Sequence, residues 1–155
     1  MRLLFILLFT VALNAQEFKL NNNKVIWQKI LENVSDSDYD KLLSLNSHTN
    51  GRLEPMPIDY EAVGMKRGNV VMLLLMYNLT GSVQFDRKEN RVRILVSDIF
   101  FTKNVDAIRI ADNKMRFEDY AVRRGEFTNK FLNNEELLNH HFNSLFEVNS
   151  YDSDW

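Results

Sequence analysis

Residues 81–101 have the sequence GSVQFDRKENRVRILVSDIFF, which contains the clearest structural signal in the chain. Two apolar series alternate with polar residues on either side of a polar turn at 88–90, and their members are Val83, Phe85, Val92, Ile94 and Val96. Alternation in two runs joined by a tight turn predicts an antiparallel β-hairpin with one buried face. The alternation stops at Asp98, before the apolar residues 99–101, which predicts a β-bulge.

The segments before this hairpin predict strands and one helix. Lys24–Glu32 is rich in β-branched and aromatic residues, so we expect a strand, partly covered on both faces because neither face is purely polar. Ser35–Leu45 predicts a helix that begins with a capping serine and several aspartates. Arg52–Met56 predicts a short strand. Val70–Met76 is a continuous apolar run whose period does not distinguish helix from strand, and its shortness favours a strand.

The ends of the chain and its last third have weaker patterns. Gln16–Asn23 is polar and rich in Asn, and we expect a mobile lead-in. Residues 105–125 are ambiguous, with one more strand at 105–110 and a short helix or turn at Phe117–Val122. A final helix reaching about residue 148 is predicted by four apolar residues at helical spacing, Phe131, Leu138, Phe142 and Leu145.

The order of these elements indicates the fold class. Strand, helix, three or four strands and a final helix give the order β-α-β-β-β-β-α. Neighbouring strands joined by tight turns predict an antiparallel sheet, and two helices are enough to cover one of its faces. We therefore expect an α+β fold, an antiparallel β-sheet with helices packed on one face.

The first residues have the pattern of a secretory signal peptide. Arg2 precedes an apolar run at 3–13, and Ala15 offers a small residue for cleavage. We therefore divide the chain into a signal peptide at 1–15, a single domain at 16–149 and an acidic tail at 150–155. The apolar run is too short to span a membrane, so we expect an exported protein, periplasmic or secreted, with no membrane span in its mature form.

Composition excludes several classes of function. The chain has 155 residues, a formal net charge of −2 and no cysteine, so it has no disulfides, thiolate zinc site or cysteine nucleophile. Without a basic excess we expect no nucleic-acid partner. Nucleophile-elbow and glycine-rich phosphate motifs are absent, and we expect no cofactor. His140 and His141 are adjacent, and because helical neighbours point about 100° apart, we expect no metal site.

A local basic patch is the candidate binding site. Arg91 and Arg93 lie on the same side of their predicted strand, and Tyr120 and Arg123, followed by Arg124, are candidates to join them around an anionic ligand. Ordinary surface ion pairs would explain the same arginines equally simply.

Several short motifs together resemble a secreted Bacteroidota family of unknown function with a TATA-binding-protein-like fold. They extend over nearly all of the mature chain, and they are Asn14–Gln16, Asn23–Lys29, Thr80–Phe85, Arg91–Ile94, Glu118–Gly125 and Asp154–Trp155. The resemblance implies a helix-covered antiparallel sheet. It implies no activity, no catalytic residues and no binding to DNA, because a fold does not define a function.

Two hypotheses of function follow. In the first, the protein is an exported, non-enzymatic binding or accessory domain of the cell envelope, whose sheet face and loop around Tyr60 contact another envelope protein or a second copy in a self-dimer. In the second, it is a cell-envelope enzyme whose site is assembled only in three dimensions. A polar pocket that holds a histidine or carboxylate with a strongly shifted pKa would favour the enzyme.

Overall fold

The computed structural model describes residues 16–48, 50–103 and 114–146, without the side chains of residues 16, 45–48 and 103. The strands are β1 (Gln16–Asn21), β2 (Lys24–Leu31), β3 (Tyr77–Lys88), β4 (Arg91–Lys103), β5 (Met115–Arg116), β6 (Val122–Arg123) and β7 (Glu126–Phe127). The helices are α1 (Asp36–His48), α2 (Met72–Met76), α3 (Phe117–Ala121), α4 (Asn129–Leu132) and α5 (Glu135–Ser144), with a 3-10 turn at Arg67–Asn69. The predicted signal peptide, the strand at 105–110 and the acidic tail lie outside the described residues.

The expected α+β fold with an antiparallel sheet is confirmed. The strands follow the order β1-β2-β4-β3, and β5 pairs with the far end of β4, while β6 and β7 form a separate two-stranded sheet. All these pairs are antiparallel. The observed element order is richer than the predicted one, because it contains a strand before β2 and several short helices.

The helices cover one face of the main sheet. Trp27 on β2 is fully buried, and its ring stacks on Phe142 of α5 at 5.4 Å and on Phe146 at 5.7 Å. Phe18 on β1 lies beside it in the sheet and contacts the rings of Phe117, Phe131 and Phe142. These aromatic contacts join the sheet to α3, α4 and α5.

The other side of the sheet, here called the open face, has no helix over its centre among the described residues. Ile26, Ile30 and Leu95 are half-buried there between charged and amide side chains. Both faces of β2 are therefore partly covered, as expected. On the open face the cover comes from neighbouring side chains of the sheet and not from a second layer of helices.

The predicted hairpin and its bulge are both present. β3 and β4 pair from Lys88 and Arg91 at the turn down to Ser82 and Ser97. Beyond that point the register shifts, so that Thr80 pairs with Phe100, and Asp98 has a positive φ of 46°. The extra residue in β4 is a β-bulge at the predicted position.

The prediction of a mobile lead-in at Gln16–Asn23 is wrong. Residues 16–21 form β1, and Asn22 and Asn23 form a two-residue turn with φ angles of 49° and 61°. Two consecutive left-handed residues are typical of a type I′ hairpin, and Asn tolerates that conformation better than most residues. The segment is polar because every second residue of β1 lies on the open face.

The strand predicted at Val70–Met76 is also wrong. Residues 72–76 form the short helix α2, in which Leu74 is buried and Met72 and Met76 are 65% and 52% exposed. A short run of apolar residues is compatible with a helix that buries one side and also with a buried strand. The composition of this segment therefore did not discriminate between helix and strand. The strand predicted at 52–56 is reduced to two isolated bridges, Arg52 to Ser82 and Met56 to Leu79.

The remaining helical predictions are confirmed in outline. The Ser35 hydroxyl accepts a bond from the Asp38 amide at 3.1 Å and caps α1. Residues 117–121 form α3. The long helix predicted after Phe131 is divided into α4 and α5 by Asn133 and Asn134. No helix in the described ranges is long and apolar enough to cross a membrane.

Gly81 allows the bulge to pack, and Gly81→Ala tests this constraint. A Cβ there would lie 3.0 Å from the Ser97 carbonyl oxygen and 3.2 Å from Val96 Cγ1. Because the first neighbour is sheet backbone, we expect G81A to lower the free energy of unfolding in urea by about 1–3 kcal/mol. Gly68→Ala is the matched control, since a Cβ at Gly68 meets nothing within 4 Å. Equal stability of both variants would contradict the constraint.

Candidate functional site

Two clefts lie beside α3 and the β6–β7 hairpin. The larger, here called the Tyr120 cleft, has a volume of about 860 Å³. Its walls come from the start of α2, from β5, α3, α4 and the hairpin, and they include Val71, Leu73, Met115, Asp119, Tyr120, Arg123, Arg124, Glu126, Phe127, Thr128, Asn129 and Lys130. The smaller cleft, of about 690 Å³, shares Asp119 and Arg124 with it and reaches Asn23 and Arg116.

The core of the protein holds Tyr120 in place. Its ring packs edge-on against Phe101 of β4 at 5.7 Å and against Phe117 at 5.8 Å. Its hydroxyl donates a hydrogen bond to the Lys130 carbonyl at 2.9 Å, and the Thr128 hydroxyl donates to the Tyr120 carbonyl at 3.0 Å. These bonds join α3 to the start of α4 and so connect the two sides of this cleft wall.

The bonded and buried hydroxyl of Tyr120 is unsuited to proton transfer at neutral pH. Burial raises the pKa of Tyr120 to about 12, well above the range in which a general acid or base works efficiently. Tyr120 is 8% exposed and lines the cleft with this small exposed part. Its role in the cleft is therefore to shape the wall.

Three cationic side chains line the Tyr120 cleft without an ion-pair partner. Within the described ranges, Arg123, Arg124 and Lys130 have no carboxylate oxygen within 4.0 Å. Arg124 and Gly125 form the β6–β7 turn with φ angles of 56° and 80°, which places the two arginines next to each other at the tip. All three cationic residues are exposed.

Two acidic residues also line this cleft. Asp119 and Glu126 stand among the three cations, and the described part of the chain gives neither of them an ion pair. The cleft therefore carries a surplus of one positive charge in a chain whose formal net charge is −2.

The structure brings together only part of the predicted basic patch. Tyr120 and Arg123 line the same cleft. Arg91 and Arg93 lie on the open face, on the opposite side of the sheet from α3. Tyr120 therefore does not join those two arginines.

Arg91 and Arg93 are both engaged in ion pairs. Arg91 Nε lies 2.7 Å from Glu32 Oε2, and Arg93 Nη2 lies 2.6 Å from Asp86 Oδ2. Hydrogen bonds from Arg93 and Gln84 hold the pKa of Asp86 below its usual range. An anion at this place would have to displace a carboxylate, so surface ion pairing accounts for these two arginines.

Three important cleft residues were not predicted. Lys130 follows α3 by nine residues and reaches the cleft only because Thr128 and Tyr120 join the two short helices. Val71 and Leu73 belong to the apolar run that was predicted to be a strand. No local pattern marks any of them, because each becomes a wall residue through packing between distant segments.

The buried histidine of α5 lies away from both clefts. His141 is 5% exposed, and burial, with a smaller effect from His140, lowers its pKa to about 4. It lines neither cleft, and its Nε2 has no hydrogen-bond partner among the described residues. Among residues 16–48, 50–103 and 114–146, no group of three or more histidines and carboxylates is arranged to hold a metal ion. The strongly shifted groups are thus not gathered into one polar pocket.

Comparison of the chain with protein-family models, with curated proteins and with solved structures finds no match in any of the three. The resemblance to the secreted Bacteroidota family therefore stays a prediction.

His141 predicts a pH dependence of stability. The pKa of His141 is about 4 in the folded protein against 6.5 for an ordinary histidine, so the unfolded chain binds the proton first. Stability should therefore decrease as pH falls from 6.5 towards 4, by about 3 kcal/mol at most. Urea unfolding at several pH values should show this decline in the native protein and a flatter profile in His141→Leu.

His140→Gln is the matched control for this measurement. The neighbouring side chain is less buried, and its removal leaves the buried imidazole in place. The variant should keep most of the decline between pH 6.5 and 4.5. A decline of the same size in H141L would show that other groups cause it.

Proposed function

We propose that the protein is an exported, non-enzymatic binding domain of the bacterial cell envelope, and that its Tyr120 cleft takes an amphipathic monoanion. One observation carries the proposal: Arg123, Arg124 and Lys130, none of them ion-paired within the described part of the chain, stand at a cleft with apolar walls. Elsewhere in the described part of the chain, Arg87, Arg91, Arg93 and Arg116 each have a carboxylate partner. The exposed cations Arg52, Lys66, Arg67 and Lys88 also have no ion pair there, but they line neither cleft.

The apolar walls and the cations of the cleft suit two different parts of one ligand. Val71, Leu73 and Phe127 offer apolar surface for a hydrocarbon or aromatic body. A guanidinium group binds a carboxylate, sulfonate or phosphate oxygen with charge-assisted hydrogen bonds, and two adjacent arginines provide several such donors. The cleft volume of about 860 Å³ is within the range of small-molecule sites, roughly 300–1,000 Å³.

The two acidic residues limit the charge of the ligand. Asp119 and Glu126 repel a second negative group, and the surplus in the cleft is a single positive charge. A ligand with one negative charge and an apolar body fits this arrangement best. A dianion carries more negative charge than the cleft balances, and a purely polar sugar leaves the apolar wall without a partner.

The placement of the ionisable groups favours binding over catalysis. The Tyr120 hydroxyl is bonded to a backbone carbonyl, and His141 lies outside the cleft lining. A nucleophile next to a base, which acyl or phosphoryl transfer to a side chain requires, is not assembled at the cleft by the described residues.

The sequence supports the proposed export. Arg2, the apolar run at 3–13 and the small residue Ala15 form the predicted signal peptide and its cleavage site. A core that contains no cysteine is equally stable in an oxidising and a reducing compartment. The partner class, another envelope protein or a second copy, stays part of this proposal.

A pair of fluorescent probes tests the cleft. Anilinonaphthalene sulfonate combines an apolar body with one sulfonate, and N-phenylnaphthylamine has nearly the same body without the charge. We expect the folded full chain to bind the sulfonate more tightly than the neutral probe in fluorescence titrations. Arg123→Gln with Arg124→Gln should weaken binding of the sulfonate about tenfold or more and change binding of the neutral probe little.

The matched control is Arg91→Gln with Arg93→Gln, which removes the same charge from the open face. This variant should bind both probes as the native chain does. The comparison distinguishes direct binding by the cleft arginines from attraction of the sulfonate by the overall charge of the protein. Equal weakening by both double variants, or no difference between the two probes, would contradict the proposed site.

A further inference from the structure

Among the residues that the structure describes, strand β1 is an uncovered edge of the main sheet. It pairs with β2 along its whole length, from Gln16 opposite Lys29 to Asn21 opposite Lys24, and no described residue pairs with its outer side. An uncovered edge presents backbone N–H and C=O groups to any extended chain that fits it.

The opposite edge of the sheet is covered in part. The segment 51–53 runs along β3, where the Leu53 amide donates to the Gly81 carbonyl and the Val83 amide donates to the Gly51 carbonyl, each at 2.8 Å. The bridge from Met56 to Leu79 extends this cover over residues 79–83 of β3. The outer side of β1 has no such cover from any described residue, so β1 is the edge that offers its whole length to another strand.

The side chains of β1 carry opposite charges on either side of one aromatic residue. Glu17 and Lys19 lie on the open face, with the Lys19 Nζ 2.8 Å from the Glu17 carboxylate. The Gln28 amide also donates to Glu17, at 3.0 Å. Phe18 lies between them on the other face, 6% exposed and packed under α4 and α5.

We propose that β1 pairs antiparallel with β1 of a second copy, in a register centred on Phe18. In that register Phe18 lies opposite Phe18 of the partner subunit, and Glu17 lies opposite Lys19 of the partner subunit. Two-fold symmetry repeats the pair of Glu17 and Lys19 on the other side of the axis, so the interface contains two opposite-charge pairs. Directly opposite residues have Cβ atoms about 4.5–5.5 Å apart, which suits such pairs.

The pattern of charge selects this register. A shift of one residue in the pairing would place the open face of one copy beside the helical face of the other. The neighbouring registers that keep the faces matched are centred on Glu17 or on Lys19, and each places a like charge opposite itself. Lys on an edge normally discourages pairing with unrelated strands, and here it favours a strand that offers Glu at the right place.

The resulting dimer is weak and reversible. In this register residues 16–20 of one copy pair with the same five residues of the other, and the interface adds little new apolar burial because Phe18 is already covered. Interfaces below about 1,200 Å² belong to transient complexes. The two copies together would form one continuous sheet, in which β1 no longer has an exposed edge. The inference does not depend on a ligand in the Tyr120 cleft.

Charge-reversal variants of the full chain, purified after export with a C-terminal tag, test the register. Sedimentation velocity at rising concentration should show the native chain associating. E17K and K19E should each lower the association constant about tenfold, because each places like charges opposite one another. The double variant E17K/K19E should restore it. An equimolar mixture of the two single variants should form the mixed dimer in preference to either homodimer.

Cysteine cross-linking gives an independent measurement, since the native chain has no cysteine. A mixture of E17C and K19C should form a disulfide between the two variants faster than either variant forms one alone. Circular dichroism and urea unfolding confirm that each variant is folded. A native chain that stays monomeric up to about 1 mM would leave this edge to an extended segment of a different protein and overturn the proposal. Equal association by all charge variants would overturn it as well.

Discussion

The bulge at Asp98 is the constraint on which the rest of the structure depends. Up to Val96, every second residue of β4 points into the helical layer, and continued alternation would bury Asp98 and expose Ile99 and Phe101. The extra residue shifts the phase, so that Ile99 and Phe101 are fully buried and Asp98 is exposed, 3.2 Å from the Lys24 ammonium group. Gly81 is the residue opposite that leaves space for this shift.

The bulge also divides β4 between two neighbours and so creates the place for the cleft. Before it, β4 pairs with β2, and after it, β4 pairs with β5. Where β2 and β4 separate, the Val25 amide donates to the Glu118 carboxylate of α3 at 3.2 Å in place of a strand partner. The shift turns the buried ring of Phe101 towards this region, where it stacks on Phe117 at 5.5 Å and packs against Tyr120. The cleft wall is thus a consequence of strand geometry some twenty residues earlier in the chain.

The fold was predictable where residue patterns are local. Alternation around the turn at 88–90 predicted β3 and β4, and its interruption predicted the bulge. Prediction failed at β1, because an edge strand with one open face has the polar composition of a loop. It failed at Val70–Met76 because a continuous apolar run has no period that separates a buried helix from a strand. Of the candidate site residues, Tyr120 and Arg123 line the same cleft, whereas Arg91 and Arg93 lie on the open face in ion pairs.

The sequence alone was sufficient to establish the antiparallel α+β class, the hairpin with its bulge and the lack of cysteine chemistry, because these follow from residue type and spacing along a short stretch of chain. The tertiary structure decided which charges are paired. Arg93 and Arg123 are the same residue type. Arg93 nevertheless lies beside Asp86, whereas Arg123 lines a cleft and has no ion pair in the described part of the chain. Electrostatic pairing acts over a few ångströms in space between residues from different elements, and no spacing along the chain records those distances.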